Sequence, residues 1–146
     1  MRPPTAPAAF RDTTVPASRT REELTKTLAR YGADSFSEQT VRDGERGAYV
    51  IRFRRDNRVY RLMIDLGTTP RDERQRMRAL YWSLKGMLDA AVFGLLKFED
   101  VLLAYTELPA PGGGTITVGE QIQAQIDAHE LPSLTAPVRM LPAPKD

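Results

Sequence analysis

The sequence predicts an α+β domain: a short N-terminal helix, a three-stranded antiparallel meander packed on a long helix, then two shorter helices. Three observations predict it. Residues 48–54 (AYVIRFR) and 58–64 (RVYRLMI) are β-branched and aromatic runs. Between them stands Asp56-Asn57, a pair that tolerates the positive φ of a two-residue hairpin turn. Finally, Met77, Leu80, Tyr81, Leu84, Met87, Leu88, Ala91 and Leu95 recur at intervals of three and four, the stripe of an amphipathic helix.

Taken in order, residues 1–17 are rich in Pro, Ala and Thr without periodicity and read as a flexible arm. The first helix is expected near Thr20, where Thr20-x-x-Glu23 has the form of a capping box. Leu24, Leu28 and Tyr31 form its stripe, and Gly32 suits a left-handed stop. Residues 35–41 are a weaker strand candidate, followed by a turn at 43–47.

The hairpin loop sets a register that can be tested against the pattern. Pairing outward from it, Phe53 faces Tyr60, Ile51 faces Leu62 and Tyr49 faces Ile64, all on one face. The other face pairs Arg54 with Val59, Arg52 with Arg61 and Val50 with Met63. A one-residue slip would mix the faces. The long helix is expected over 70–96, with Thr69 as its cap, Pro70 at its first position and Asp72 and Glu73 against its positive end. Trp82, Val92 and Phe93 lie off the main stripe. Residues 98–107 read as a helix or, less readily, a strand, and 109–114 as a loop. Thr117-x-x-Glu120 opens a last helix that carries Val118, Ile122 and Ile126 and ends near His129. The folded domain is expected over 18–131, with a Pro-rich tail at 132–146.

Composition narrows the chemistry. The 146 residues contain no Cys, which excludes a disulfide framework, a thiol nucleophile and thiolate zinc sites. One His, His129, excludes any site needing two imidazoles. No P-loop, HExxH or G-x-S-x-G pattern occurs. Asp65 and Glu73 are the carboxylates nearest to a nuclease arrangement, but the Lys of an E-x-K strand motif is missing. Neither a cofactor site nor a metal site is expected, and the chain reads as a non-enzyme. No apolar run approaches the ~18 residues of a membrane helix, and the N-terminus lacks a signal-peptide core. A cytoplasmic protein is expected.

Charge is unevenly spread. Residues 42–86 hold twelve basic and six acidic side chains, and residues 87–146 hold three basic and eight acidic. Arg52, Arg54, Arg55, Arg58 and Arg61 fall within ten residues of the hairpin, and Arg71, Arg74, Arg76 and Arg78 open the long helix. Arg52 and Arg61 are expected directly opposite each other, where like charges destabilise a strand pair. On that ground, replacing both is expected to leave folding intact or slightly improved. Two readings stand: a solvated face paired with the chain's own acids, or a face that binds the phosphates of a nucleic acid through Arg52, Arg54, Arg55, Arg58, Arg61, Arg74 and Arg78.

Four blocks, VPASRTREELTKTLARYGADSF at 15–36, AYVIRFRRDNRVYRLMIDL at 48–66, RMRALYWSLKGMLDAAVFGLLKFEDVLLAYTELP at 76–109 and TITVGEQI at 115–122, resemble in order and spacing a family of small, mostly uncharacterised proteins of bacteriophages and prophages. The resemblance implies a phage setting inside a bacterial host, with support of DNA replication or recombination, or blockade of a host defence complex, as expected roles. It carries no catalytic motif. The first reading is therefore a nucleic-acid-binding accessory protein. The alternative is a protein–protein inhibitor or adaptor, such as a blocker of a CRISPR effector, with Trp82 and Phe93 as its contact residues, partly exposed in the monomer and buried in a homodimer or complex.

Overall fold

The computed structural model describes residues 9–128, 142, 144 and 145. His129 and most of the tail at 132–146 lie outside them, as do residues 1–8 of the arm.

Helix α1 spans Ala17–Arg30, and strands β1 (Ser35–Asp43), β2 (Arg46–Arg55) and β3 (Arg58–Gly67) form an antiparallel sheet in that order. Helix α2 spans Pro70–Val92. A short helix α3 (Phe98–Val101) and a 3-10 turn (Leu103–Tyr105) lead into strands β4 (Glu107–Pro109) and β5 (Thr115–Thr117), which pair as a second, two-stranded sheet. Helix α4 spans Val118–Asp127. The fold is α+β, as expected, with a β-hairpin that the sequence did not announce.

The β2–β3 register is the expected one: Phe53 faces Tyr60, Ile51 faces Leu62, Tyr49 faces Ile64 and Arg52 faces Arg61. Asp56 and Asn57 both take positive φ, 50° and 63°, the signature of a tight turn matched to strand twist. Tyr49, Ile51, Phe53, Tyr60 and Leu62 are buried on the face toward the helices, where they meet Leu24 and Leu28 of α1 and Met77, Leu84 and Leu88 of α2. Period-2 and period-3.6 patterns therefore meet in one core.

Two helix boundaries differ from expectation. Helix α1 starts at Ala17, not Thr20, so it takes the last residue of the expected arm. Thr20 is fully buried, and its hydroxyl donates back to the Pro16 carbonyl (3.5 Å) while accepting from Arg78 (3.4 Å). Glu23 binds Arg78 at 2.7 Å. The two side chains of the apparent capping box thus both meet Arg78 of α2, and they do not cap each other's backbone N–H. Helix α2 ends at Val92, four residues early. Gly94 takes φ +77°, its N–H reaches Ala91 O, and Leu95 N–H reaches Ala90 O. This is the paired bonding of a Schellman stop, with glycine at the left-handed position. The start of α2 is as read: Thr69 accepts from Asp72 N–H, and the Asp72 carboxylate returns to Thr69 N–H.

Residues 98–107, expected as one helix, divide because the chain must turn back toward the sheet. Thr106 bridges to Tyr60 on the outer side of β3. From there β4 and β5 lie against the second face of the sheet, the one that carries Arg52 and Arg61. Thr117 caps α4 by accepting from Glu120 N–H.

The candidate functional site: an arginine face and its acids

The second sheet face carries Arg52, Arg54 and Arg61 as the hairpin register requires, with Val50, Val59 and Met63 between them. The acids they meet come from elsewhere in the chain. Glu107, whose side chain is only 4% exposed, takes a two-pronged contact from Arg52: Nε to Oε1 and Nη2 to Oε2, both 2.8 Å. Arg61 lies 3.8 Å from the same carboxylate and binds Glu120 at 2.9 Å and Thr115 at 3.3 Å. The like-charged pair is explained by the carboxylate beside it. Two guanidinium groups neutralise one buried acid, and this arrangement pins the β4–β5 hairpin to the sheet.

The electrostatics follow. Hydrogen bonding to Arg52, aided by the field of both arginines, holds the Glu107 carboxyl below its ordinary value against an opposing push from burial. Glu120 is likewise lowered, first by Arg61 and then by the Thr117 hydroxyl. Arg52 is raised by the same bond to Glu107. The expectation that Arg52 and Arg61 can be removed without cost is therefore corrected. Their mutual repulsion is outweighed by a shared, nearly buried partner.

Most of the other arginines of the block are engaged as well. Arg54 binds Asp34 at 3.0 Å, with both side chains more than half exposed. Arg55 donates to the Tyr31 carbonyl at 2.9 Å, approaches Asp56 at 3.1 Å and lies 3.8 Å over the Phe98 ring. Arg78 sits between Glu23, Tyr81 and Trp82. Arg71 binds Asp12 and the Arg11 carbonyl, which holds the described part of the N-terminal arm against α2. Arg58 and Arg74 form no ion pair among the described residues, and they lie on different elements, the start of β3 and the first turns of α2. The seven arginines proposed from sequence thus do not make one unpaired basic surface.

No family model matches the chain, and no curated protein or solved structure is significantly similar to it.

The carboxylates set aside in the sequence have arginine partners too. Asp65 is bound by Arg46 (2.8 Å), approached by Arg76 (3.6 Å) and lowered first by the Gly67 N–H. Glu73 lies between Arg21 and Arg42. Among the described residues no group of three or more Asp, Glu, His or Cys side chains gathers as a metal site. No helix among them is long and apolar enough to cross a membrane.

Trp82 and Phe93, the other pair singled out from sequence, are both exposed, at 47% and 79%. They lie eleven residues apart on nearly the same side of α2. Gly86 and Asp89 fall between them, and Asp89 is bound by Lys85 and by the Tyr31 hydroxyl. The two aromatics therefore do not share one apolar patch. Phe93 instead belongs to a cluster at the end of α2 with Val92 (68%), Leu95 (75%) and Leu96 (54%). In a Schellman stop the residue after the glycine commonly packs back on the helix. Here that residue, Leu95, faces solvent. The sequence signal was present in Val92-Phe93-Gly94-Leu95-Leu96, but reading the helix through Gly94 concealed it.

Proposed function

We propose that this chain is a non-enzymatic binding protein that engages a protein partner through the apolar end of α2, in the setting of a phage-encoded inhibitor or adaptor acting on a host complex in the bacterial cytoplasm. One observation carries the reading. Four large apolar side chains within five residues, Val92, Phe93, Leu95 and Leu96, stay more than half exposed, although the inner stripe of the same helix, Met77, Leu84 and Leu88, is fully buried. The phage resemblance supplies the setting. Trp82, on the same side of the helix, extends the contact as a second, separate anchor.

The test is a pair of substitutions, Phe93→Asp with Leu95→Asp, assayed in bacteria that carry a phage-targeting effector complex. The parent is expected to protect a targeted phage and to co-purify with a subunit of that complex. The double variant is expected to lose both while melting at the parent temperature. Each buried aromatic or aliphatic anchor is worth about 2 kcal/mol at such a contact. Equal protection by parent and variant refutes this surface.

A second reading, binding of nucleic acid, has Arg58 and Arg74 in its favour as cations without a carboxylate partner among the described residues. The remaining arginines would have to exchange an internal acid for a phosphate. Two cations without a carboxylate partner predict weak binding to labelled DNA or RNA with a salt slope of roughly −1 to −2, vanishing near physiological ionic strength. Tight binding at that ionic strength, weakened by Arg52→Gln with Arg61→Gln in a variant that still folds, would restore nucleic acid as the primary partner. The same incubations with Mg²⁺ or Mn²⁺ are expected to leave the strands uncut. Cleavage that is lost in Asp65→Asn or Glu73→Gln would make the chain a nuclease.

A further inference from the structure

The two edges of the main sheet are finished differently. The outer side of β3 is met by Thr106 and the hairpin that follows it. The outer side of β1 has no strand beside it among the described residues, and all nine residues Ser35–Asp43 are exposed. A long open edge is usually blunted by proline, a bulge or charged side chains, lysine above all, and the charges of β1 are Glu38, Arg42 and Asp43, of both signs. The segment SFSEQTVRD has no proline, lysine or glycine, and its pairing with β2 runs from Ser35–Arg54 to Asp43–Arg46 without a shift.

Hydrogen-bond parity says which groups are open. The two-residue loop Gly44-Glu45 closes on the Asp43–Arg46 pair. In an antiparallel ladder that pair exchanges both bonds, and bonded pairs then alternate. The odd-numbered residues of β1 therefore bond to β2. The N–H and C=O groups of Phe36, Glu38, Thr40 and Arg42 point outward, unpaired.

We propose that this edge pairs antiparallel with β1 of a second copy of the chain, about a two-fold axis at Thr40, to form a continuous six-stranded sheet. A two-fold contact must be self-complementary, and this register is. Thr40 faces Thr40 of the second copy, a favoured cross-strand pair. Glu38 faces Arg42 of the second copy, and Arg42 faces its Glu38, so two opposite-charge pairs form by symmetry. Glu38 already accepts the Tyr49 hydroxyl on Oε2 at 2.6 Å, which leaves Oε1 for the incoming guanidinium. Arg42 is 56% exposed and reaches Glu73 only at 3.3 Å, so it can serve both. Moving the axis to Gln39 sets Arg42 against Phe36 and loses both charge pairs. Moving it to Glu38 sets two carboxylates face to face.

Sedimentation equilibrium on the parent is expected to show a monomer–dimer exchange with a dissociation constant on the order of 10⁻⁵ M, as suits a small interface. Glu38→Arg and Arg42→Glu are each expected to be monomeric alone, because like charges then meet across the axis. Mixed in equal amounts they should regain the dimer, since the heterodimer restores both opposite-charge pairs. A readout that needs no variant is amide exchange in the parent, where Phe36, Glu38, Thr40 and Arg42 should gain protection as concentration rises. A parent that stays monomeric, a dimer unaffected by either reversal, or outward amides indifferent to concentration each overturns the proposal. Phe93→Asp with Leu95→Asp should leave this dimer intact, so failure here is separable from failure of the α2 surface.

Discussion

Replacing Arg52 with Ala is expected to lower the free energy of unfolding by about 2–3 kcal/mol, whereas Arg54→Ala, two residues along the same strand and face, should cost no more than about 1 kcal/mol. The difference lies in the partners. Arg54 meets Asp34 with both side chains more than half in water, where an ion pair contributes little. Arg52 meets Glu107, whose side chain is 4% exposed. Without Arg52 that carboxylate stays desolvated with Arg61 at 3.8 Å as its nearest remaining cation. The full cost of an orphaned buried charge is larger, and the exposure of Arg52 itself and the presence of Arg61 reduce it. Urea unfolding of the three proteins measures the contrast. Equal losses in the two variants would mean that the β4–β5 hairpin is not held by Glu107.

The same contact sets a pH dependence. The Glu107 carboxyl is lowered in the fold, mainly by its bond to Arg52. Its proton is therefore bound more weakly in the folded than in the unfolded chain. The stabilisation is complete above the unfolded value, about 4.3, and is lost as pH falls through the folded value. The gap between parent and Arg52→Ala should accordingly be full near neutrality and shrink as pH falls below the unfolded value, closing through the lowered folded value.

Local pattern made some of this legible and not the rest. The β2–β3 register was readable because six apolar residues had to share a face and because Asp56-Asn57 admitted only one tight loop. The core stripe of α2 was readable for the same reason, that burial imposes a period. The β4–β5 hairpin was not, since its strands are three residues each, one ends in Pro109, and the ion pairs that anchor it join residues 55 and 59 positions apart. Thr20 and Glu23 looked like a cap because their partner, Arg78, lies 55 residues or more away. Charge counting located the arginine face but could not say that Glu107 and Glu120 neutralise it. The only trace of that pairing was the acidic excess after residue 86, opposite in sign to the block it meets.

Leu88→Ala is expected to cost about 2–5 kcal/mol, against no more than about 0.5 kcal/mol for Phe93→Ala five residues later. Leu88 is fully buried, one turn beyond Leu84 and in the same cluster as Leu102 of the segment that returns to the sheet. Cutting it to Ala removes three carbons from a site enclosed by α2, the sheet and the chain after α3, and those elements cannot collapse independently to fill the space. Phe93 is 79% exposed, so its truncation gives up little that folding had gained. Urea midpoints for the two variants, with unchanged denaturant slopes, make the comparison. A Phe93→Ala loss as large as that of Leu88→Ala would mean that the Val92–Leu96 segment packs against its own domain in solution. The apolar end of α2 would then be core, and no surface there would remain for a partner to take. A small Phe93 loss beside a large Leu88 loss keeps the two roles apart, with the inner stripe holding α2 in place while its end stays open to contact.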